Sequence, residues 1–464
     1  MPAYNLISRS YRAHIRDGET LRLLNVIILS AAVGTFLFTA VGGAAFTGYA
    51  SALGAGEFAF GLISALPVLA SLLQLPVSFL VQKNGKYKRF FMAGGVVQRV
   101  SWLVVAFIPY IFPVGDSRLW ALVVLVTLAA MGGSFVVITH MSLMGSVVPI
   151  DIRGRYITAR QRVCTAFSLA AGLGIAFVLD YAPGFMGYTI VFAAGGILGL
   201  ADILMYSNHS FPIPKNSEGP AFLKGVKDCF TSSKTRNFLA FWVLWSFVVN
   251  LSAPFFGKYA VDKLDLSYIS IILFGQIVAN SLALIVVSRW GVFLDRYGGA
   301  PLMMISGVCS SATIAVWLFA VPGSVWPLFL FHFFGGLFWC ANEACMVNMQ
   351  FSHTPDKGRA VALAVYAVLT SIAIASAFIC GGALLEYLSP VMERAGRTIF
   401  GTQLDHYKVS FGLSLTLRLT VLFVFLPRVW NEKGLTLRAA YAKAFENARS
   451  RWKVMVSGLR WPRR

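Results

Sequence analysis

Long apolar runs separated by short polar stretches dominate the chain, and their lengths are those of membrane-crossing helices. Twelve runs of about 19 to 30 residues each suffice to span a hydrocarbon layer of roughly 30 Å. In the first half they cover 23–48, 58–81, 90–112, 119–148, 163–182 and 185–206. In the second they cover 238–260, 267–290, 301–321, 325–351, 360–388 and 409–427. The polar stretch Ser207–Asn237 divides six from six. The pattern predicts an all-α membrane protein with 12 transmembrane helices in two six-helix bundles. Its expected parts are an N-terminal arm (1–22), a first bundle (23–206), a central loop (207–237), a second bundle (238–427) and a basic amphipathic tail (428–464). The first run is too long for a signal-peptide core and lacks a cleavage pattern, so it is expected to remain as a span.

Composition sharpens this. Hydrophobic residues make up 57% of the chain and charged residues only 12%, roughly half the charge of a soluble domain. A net charge of +20 first suggests nucleic acid, but its placement argues against that partner. With the N-terminus inside, 31 of the 39 Lys and Arg fall on one side of the membrane. Six (Arg118, Lys258, Lys263, Arg394, Arg397, Lys408) fall in the opposite loops, and Arg99 and Arg418 lie within spans. This bias predicts cytoplasmic termini and a bacterial cytoplasmic membrane. The six cysteines show no metal-ligand spacing, and no phosphate-cradling loop or catalytic triad order is present. No metal, cofactor or enzymatic activity is therefore expected. In the tail, Leu437, Tyr441, Phe445, Ala448, Trp452, Val456 and Leu459 form one helical stripe among basic residues, which predicts a helix lying on anionic lipid headgroups. Phe222, Val226 and Phe230 repeat that pattern on a small scale in the central loop.

The two halves also repeat one another. Met131-Gly-Gly-Ser-Phe135 recurs as Phe334-Gly-Gly-Leu-Phe338, and Leu179-Asp-Tyr181 as Leu385-Glu-Tyr387. Pro149-Ile-Asp-Ile-Arg-Gly-Arg155 returns, shortened, as Pro355-Asp-Lys-Gly-Arg359, and Gln82-Lys-Asn-Gly-Lys86 is answered by Asp295-Arg-Tyr-Gly-Gly299. Internal repeats of this kind place a binding site at the interface between the repeats.

Gly291, Asp295, Arg296 and Gly298 fit the pattern GxxxDRxG at the end of the eighth run. Here the chain resembles the major facilitator superfamily, across essentially its whole length. The first-half copy departs from the pattern, with Gln82 in place of the acid and Gly85 at the turn. The resemblance implies loops that latch the halves in an outward-facing state; the duplicated signature sets Arg153, Arg155 and Arg359 opposite these turns as candidate gate contacts, the competing reading being positive-inside anchoring. Gly291 is expected to let neighbouring helices approach, and Gly298 to permit a tight turn. It also implies a central cavity lined by spans 1, 4, 7 and 10.

Ionisable residues within spans are costly and invite a functional reading. Aligning the halves sets His140 against Glu343 and Thr139 against Asn342. His332, Trp339 and Glu343 share one face of span 10, and Glu343 is read as a buried acid able to take up and release a proton. Asn250 on span 7 and Thr35 on span 1 are weaker candidates, the competing reading being ordinary packing. Arg99 and Asp202 are expected to form a structural ion pair. Arg418 is expected either to snorkel or to reach an acid, Glu386 or another.

Together these features predict a secondary active transporter, acting as a monomer and coupled to protons. It would move a small sugar-like, amphipathic or drug-like solute by alternating access. The alternatives are a lipid or lysolipid flippase of the same fold and a non-transporting sensor or scaffold.

Overall fold

A computed structural model of the chain describes residues 18–149, 153–211, 230–354, 359–396, 398–399, 402–431, 433–443 and 446–447, apart from the side chains of some residues at helix and strand ends. The helices are α1 (Gly18–Val41), α2 (Ala44–Ala52), α3 (Glu57–Ala70), α4 (Gln74–Asn84), α5 (Tyr87–Val105), α6 (Ile108–Ile111), α7 (Asp116–Val147), α8 (Arg153–Tyr181) and α9 (Phe185–Leu204). They continue as α10 (Ser233–Asn250), α11 (Ala253–Asp262), α12 (Tyr268–Ile272), α13 (Ala279–Tyr297), α14 (Gly299–Ala312), α15 (Trp326–Ser352), α16 (Arg359–Ala395) and α17 (His406–Val424). A pairing of Thr398–Ile399 with Thr402–Gln403 is the one strand pair among the described residues.

Eleven helices or continuous helical runs among the described residues are long and apolar enough to cross a membrane, and the chain is an integral multi-pass membrane protein. The helix α5 lies where the third run was expected and carries Lys88, Arg89 and Arg99.

Two expected spans are not continuous. The first breaks between α1 and α2 at Gly42-Gly43, and its counterpart in the second half breaks between α10 and α11 at Leu251-Ser252. Pro254 in the first turn of α11 has no N–H to give the carbonyl of Asn250, so the helical ladder must lapse there. Both halves thus hold irregular backbone inside an apolar run, which a bilayer tolerates only within the protein.

Packing differs at the two ends of the bundle. At the end carrying residues 42–57 and 250–268, one apolar core joins both halves, with Tyr49 and Phe60 in the same cluster as Phe255, Tyr259, Leu385 and Tyr407. At the end carrying the described terminal regions, the halves have separate cores: one around Leu24, Phe91 and Tyr206, the other around Trp242, Met303 and Leu422. There α4 packs on α5 and α7, while α13 packs on α14 and α15. Among the described residues, the molecule is shut at the first end and its halves part at the second.

Close crossing at the shut end depends on glycine. A Cβ at Gly61 of α3 would come within 2.4 Å of the Phe378 carbonyl oxygen on α16, and one at Gly382 within 2.7 Å of the Glu57 carbonyl oxygen. Inside the first half, Arg99 on α5 and Asp202 on α9 pair at 2.9 Å, and both side chains are more than nine-tenths buried.

Candidate functional site

The broken spans meet at a central cavity of about 840 Å³, a size in the ordinary range for small-molecule sites. The first half contributes the break itself, Val41–Ala44, together with Thr47 and the apolar face of α3. The second half supplies most of the polar chemistry: Asn250, Gln276, His332, Glu343 and Arg418, with Trp339 among them. Gln276 belongs to a π-helical segment, Leu273–Val278, between α12 and α13. Such segments widen the helix by a residue and recur at functional sites. Its Oε1 is buried with no hydrogen-bond partner. Asn250 donates Nδ2 to the Ser246 carbonyl (2.8 Å), which leaves its side-chain oxygen available. The wall therefore offers acceptors (Glu343, Gln276), a donor cation (Arg418) and the aromatic ring of Trp339.

The placement of the sequence candidates divides sharply. Glu343, His332, Trp339 and Asn250 line the cavity. Glu343 is not buried as expected; its side chain is exposed, because α15 turns it toward open space. His140 does not line the cavity, and packs instead against Phe91 and Tyr206, each with ring centroids at 6.3 Å. Thr139 is fully buried and returns its hydroxyl to the Phe135 carbonyl at 2.6 Å. Asn342 is a brace between helices, accepting from Ser306 Oγ at 2.8 Å and donating to Ser310 Oγ at 2.9 Å. Thr35 is satisfied by its own helix, through Ala31 O at 2.6 Å. The cavity walls come from spans 1, 2, 7, 8, 9, 10 and 12, so span 4, which carries His140, has no part in them.

The loop candidates lie at the parted end. Gln82, Asp295 and Arg296 are exposed, and among the described residues none of them bonds to the opposite half. A Cβ at Gly291 would meet nothing within 4 Å, so no helix approaches it closely in this conformation. Gly85 (φ +65°) and Gly298 (φ +91°) both end helices in conformations that L side chains avoid. Arg153, Arg155 and Arg359 begin α8 and α16, and their side chains lie outside the described residues.

The tail stripe is partly accounted for. Tyr441 donates its hydroxyl to the Pro301 carbonyl at 2.8 Å, and Leu437 and Tyr441 pack on the second-half core. This part of the stripe faces protein, not lipid. Phe445, Ala448, Trp452, Val456 and Leu459, with Phe222 and Val226 of the central loop, have side chains outside the described set.

At the shut end lies a set of contacts that the sequence pattern did not single out. Lys258 on α11, 4% exposed, reaches Asp262 at 2.5 Å, Ser51 on α2 at 3.2 Å and Glu57 on α3 at 3.7 Å. Ser51 in turn donates to Asp262 at 3.0 Å. Glu57 also accepts from Tyr407 at 2.6 Å and has His406 Nε2 at 4.0 Å. On the opposite flank, Asp180 of α8 caps α12 by accepting from the backbone N–H of Tyr268 (2.8 Å) and Ile269 (2.9 Å). Glu386 accepts from the Phe58 N–H at 3.3 Å, which accounts for one of the partners considered for Arg418. Every one of these bonds except Lys258–Asp262 joins the first half to the second. The charge distribution places Lys258 among the loop cations, whereas the structure buries it.

No protein-family model matches the chain, and no curated protein does. Solved structures do. The nucleoside transporter NupG superposes with a TM-score of 0.62 at 14% identity, over 89% of this chain and 99% of that one. A bacterial homolog of the human lysosomal transporter Spinster, inward-facing and occupied, gives 0.66 at 12% identity over 92% and 100%. The inward-open xylose transporter XylE from E. coli gives 0.62 at 14% identity over 90% and 99%. At these identities the likeness is one of fold, and the chain has the major facilitator fold.

Proposed function

We propose that the chain is a secondary active transporter that moves a small organic solute through the central cavity by alternating access. The observation that carries this reading is the pairing of one cavity with one closed end. A cavity between two halves, shut by bonds that must break for it to open the other way, is the geometry of a rocking carrier. The solved structures with this fold include transporters of nucleosides and of xylose, which supports a small polar or amphipathic solute. With the termini in the cytoplasm, as the distribution of Lys and Arg favours, the parted end faces inward. Glu343 is the proposed proton site, since it is the acid on the cavity wall and is open to solvent.

The test is reconstitution in liposomes with an imposed pH gradient and a panel of labelled sugars, nucleosides and organic acids. The wild-type chain is expected to accumulate at least one solute up the gradient. Glu343→Gln is expected to exchange that solute without accumulating it. Accumulation by Glu343→Gln with unchanged pH dependence removes Glu343 from the coupling role. Absence of flux for every solute removes the transporter reading.

A further inference from the structure

Arg418 on α17 is a full guanidinium with almost nothing to balance it. It is 4% exposed and lines the central cavity. Its Nη2 donates to the Val249 carbonyl at 2.7 Å and approaches Ser252 Oγ at 3.5 Å, both beside the break in span 7. Its Nε is buried with no acceptor, and among the described residues it forms no ion pair. Bracing one carbonyl explains one of its five N–H groups and none of its charge. An unpaired cation at such depth is expensive, and proteins keep one where an anion will meet it. The guanidinium fork matches a planar oxyanion such as a carboxylate.

The same wall holds the complementary deficit. Gln276 Oε1 is a buried acceptor without a donor, and the Glu343 carboxylate is a second acceptor on the cavity. From these three groups we infer that the solute is a small organic acid: its carboxylate pairs with Arg418, while hydroxyl or amino donors on its other end reach Gln276 and Glu343. The inference rests on the transporter reading for the solute's passage, but its binding is measurable without transport.

The test uses matched probes that differ in the acid group. Glucuronate is compared with glucose, lactate with propane-1,2-diol, and leucine with leucine amide. Thermal shift and equilibrium dialysis on the purified full-length chain give each affinity at constant ionic strength. At least one acid is expected to bind about tenfold tighter than its neutral partner, a difference of about 1.4 kcal/mol. Arg418→Gln should erase that preference. Because Arg418 also braces Val249, Gln276→Leu serves as a second variant: it should weaken the hydroxy or amino acid several-fold while leaving acetate binding unchanged. Equal binding of acid and neutral partners overturns the inference, as does the absence of binding by all three acids or an acid preference that survives Arg418→Gln. Liposome flux separates the two readings. Movement of a neutral solute without acid binding spares the transporter and sinks the acid; acid binding without flux does the reverse.

Discussion

Replacing Lys258 by Met keeps the length of the side chain and removes the cation from the shut end. Its attraction to Glu57 at 3.7 Å is about 4 kcal/mol at an effective dielectric constant of 20. The bond to Asp262 lies within α11 and persists as that helix moves, so it does not favour either state. Opening also rehydrates Lys258 and Glu57, which returns part of the attraction. The net bias toward the shut state is then about 1–2 kcal/mol, or roughly a tenfold change in the open population. The assay places a cysteine at Thr47, on the cavity wall facing Gly257, in a chain with Cys340→Ala. Modification by a membrane-impermeant thiol reagent from the side of the shut end reports opening. Lys258→Met should raise the modification rate about tenfold, and Glu57→Gln should raise it too. The double variant should show little more than the larger single effect, because both remove one interaction. An unchanged or lower rate in a variant that still melts cooperatively would refute the assignment of Lys258 as a clasp.

Two further predictions concern packing. Neutralising either Arg99 or Asp202 alone should cost about 3–5 kcal/mol, because a buried charge is left unpaired, whereas Arg99→Leu with Asp202→Leu should recover much of that; thermal unfolding of the four proteins completes the cycle, and an additive double variant would contradict the pairing. Gly61→Ala should prevent the tight approach of α3 to α16 and raise thiol access at Thr47 with little loss of expression; full closure in that variant would mean that the Phe378 carbonyl yields.

Much of this molecule was legible in the sequence, for identifiable physical reasons. Hydrophobic runs of this length report membrane helices because in lipid a helix alone satisfies its backbone within a single continuous apolar segment. The Arg99–Asp202 contact was legible because two opposite charges inside neighbouring spans have few other ways to be satisfied. The failures share a cause: alignment of the halves fixes depth in the membrane but not rotation about the helix axis. His140 and Glu343 stand at matching positions, yet one turns toward Phe91 and Tyr206 and the other into the cavity. The π-helical segment compounds this by shifting the face of span 8 at Gln276, with no sequence mark to announce it. The helix breaks were hidden because Gly42-Gly43 and Leu251-Ser252 sit inside apolar runs that read as continuous. An amphipathic stripe such as Leu437 and Tyr441 suits lipid and protein equally, and only the fold shows which surface it meets.

The breaks in spans 1 and 7 also change how much of the molecule has to move. Each divides a span into a long rod held in its own half and a short one that carries part of the clasp. The short rods are α2, with 9 residues, and α11, with 10; at 1.5 Å per residue they are levers about 13–15 Å long. A tilt of about 20° at Gly42 would swing the tip of α2 by roughly 4 Å on that geometry. That is more than enough to part Ser51 from both Lys258 and Asp262. The shut end can thus begin to unseal by the pivoting of two short levers, while the long rods α1 and α10 stay in register with the separate cores of their halves.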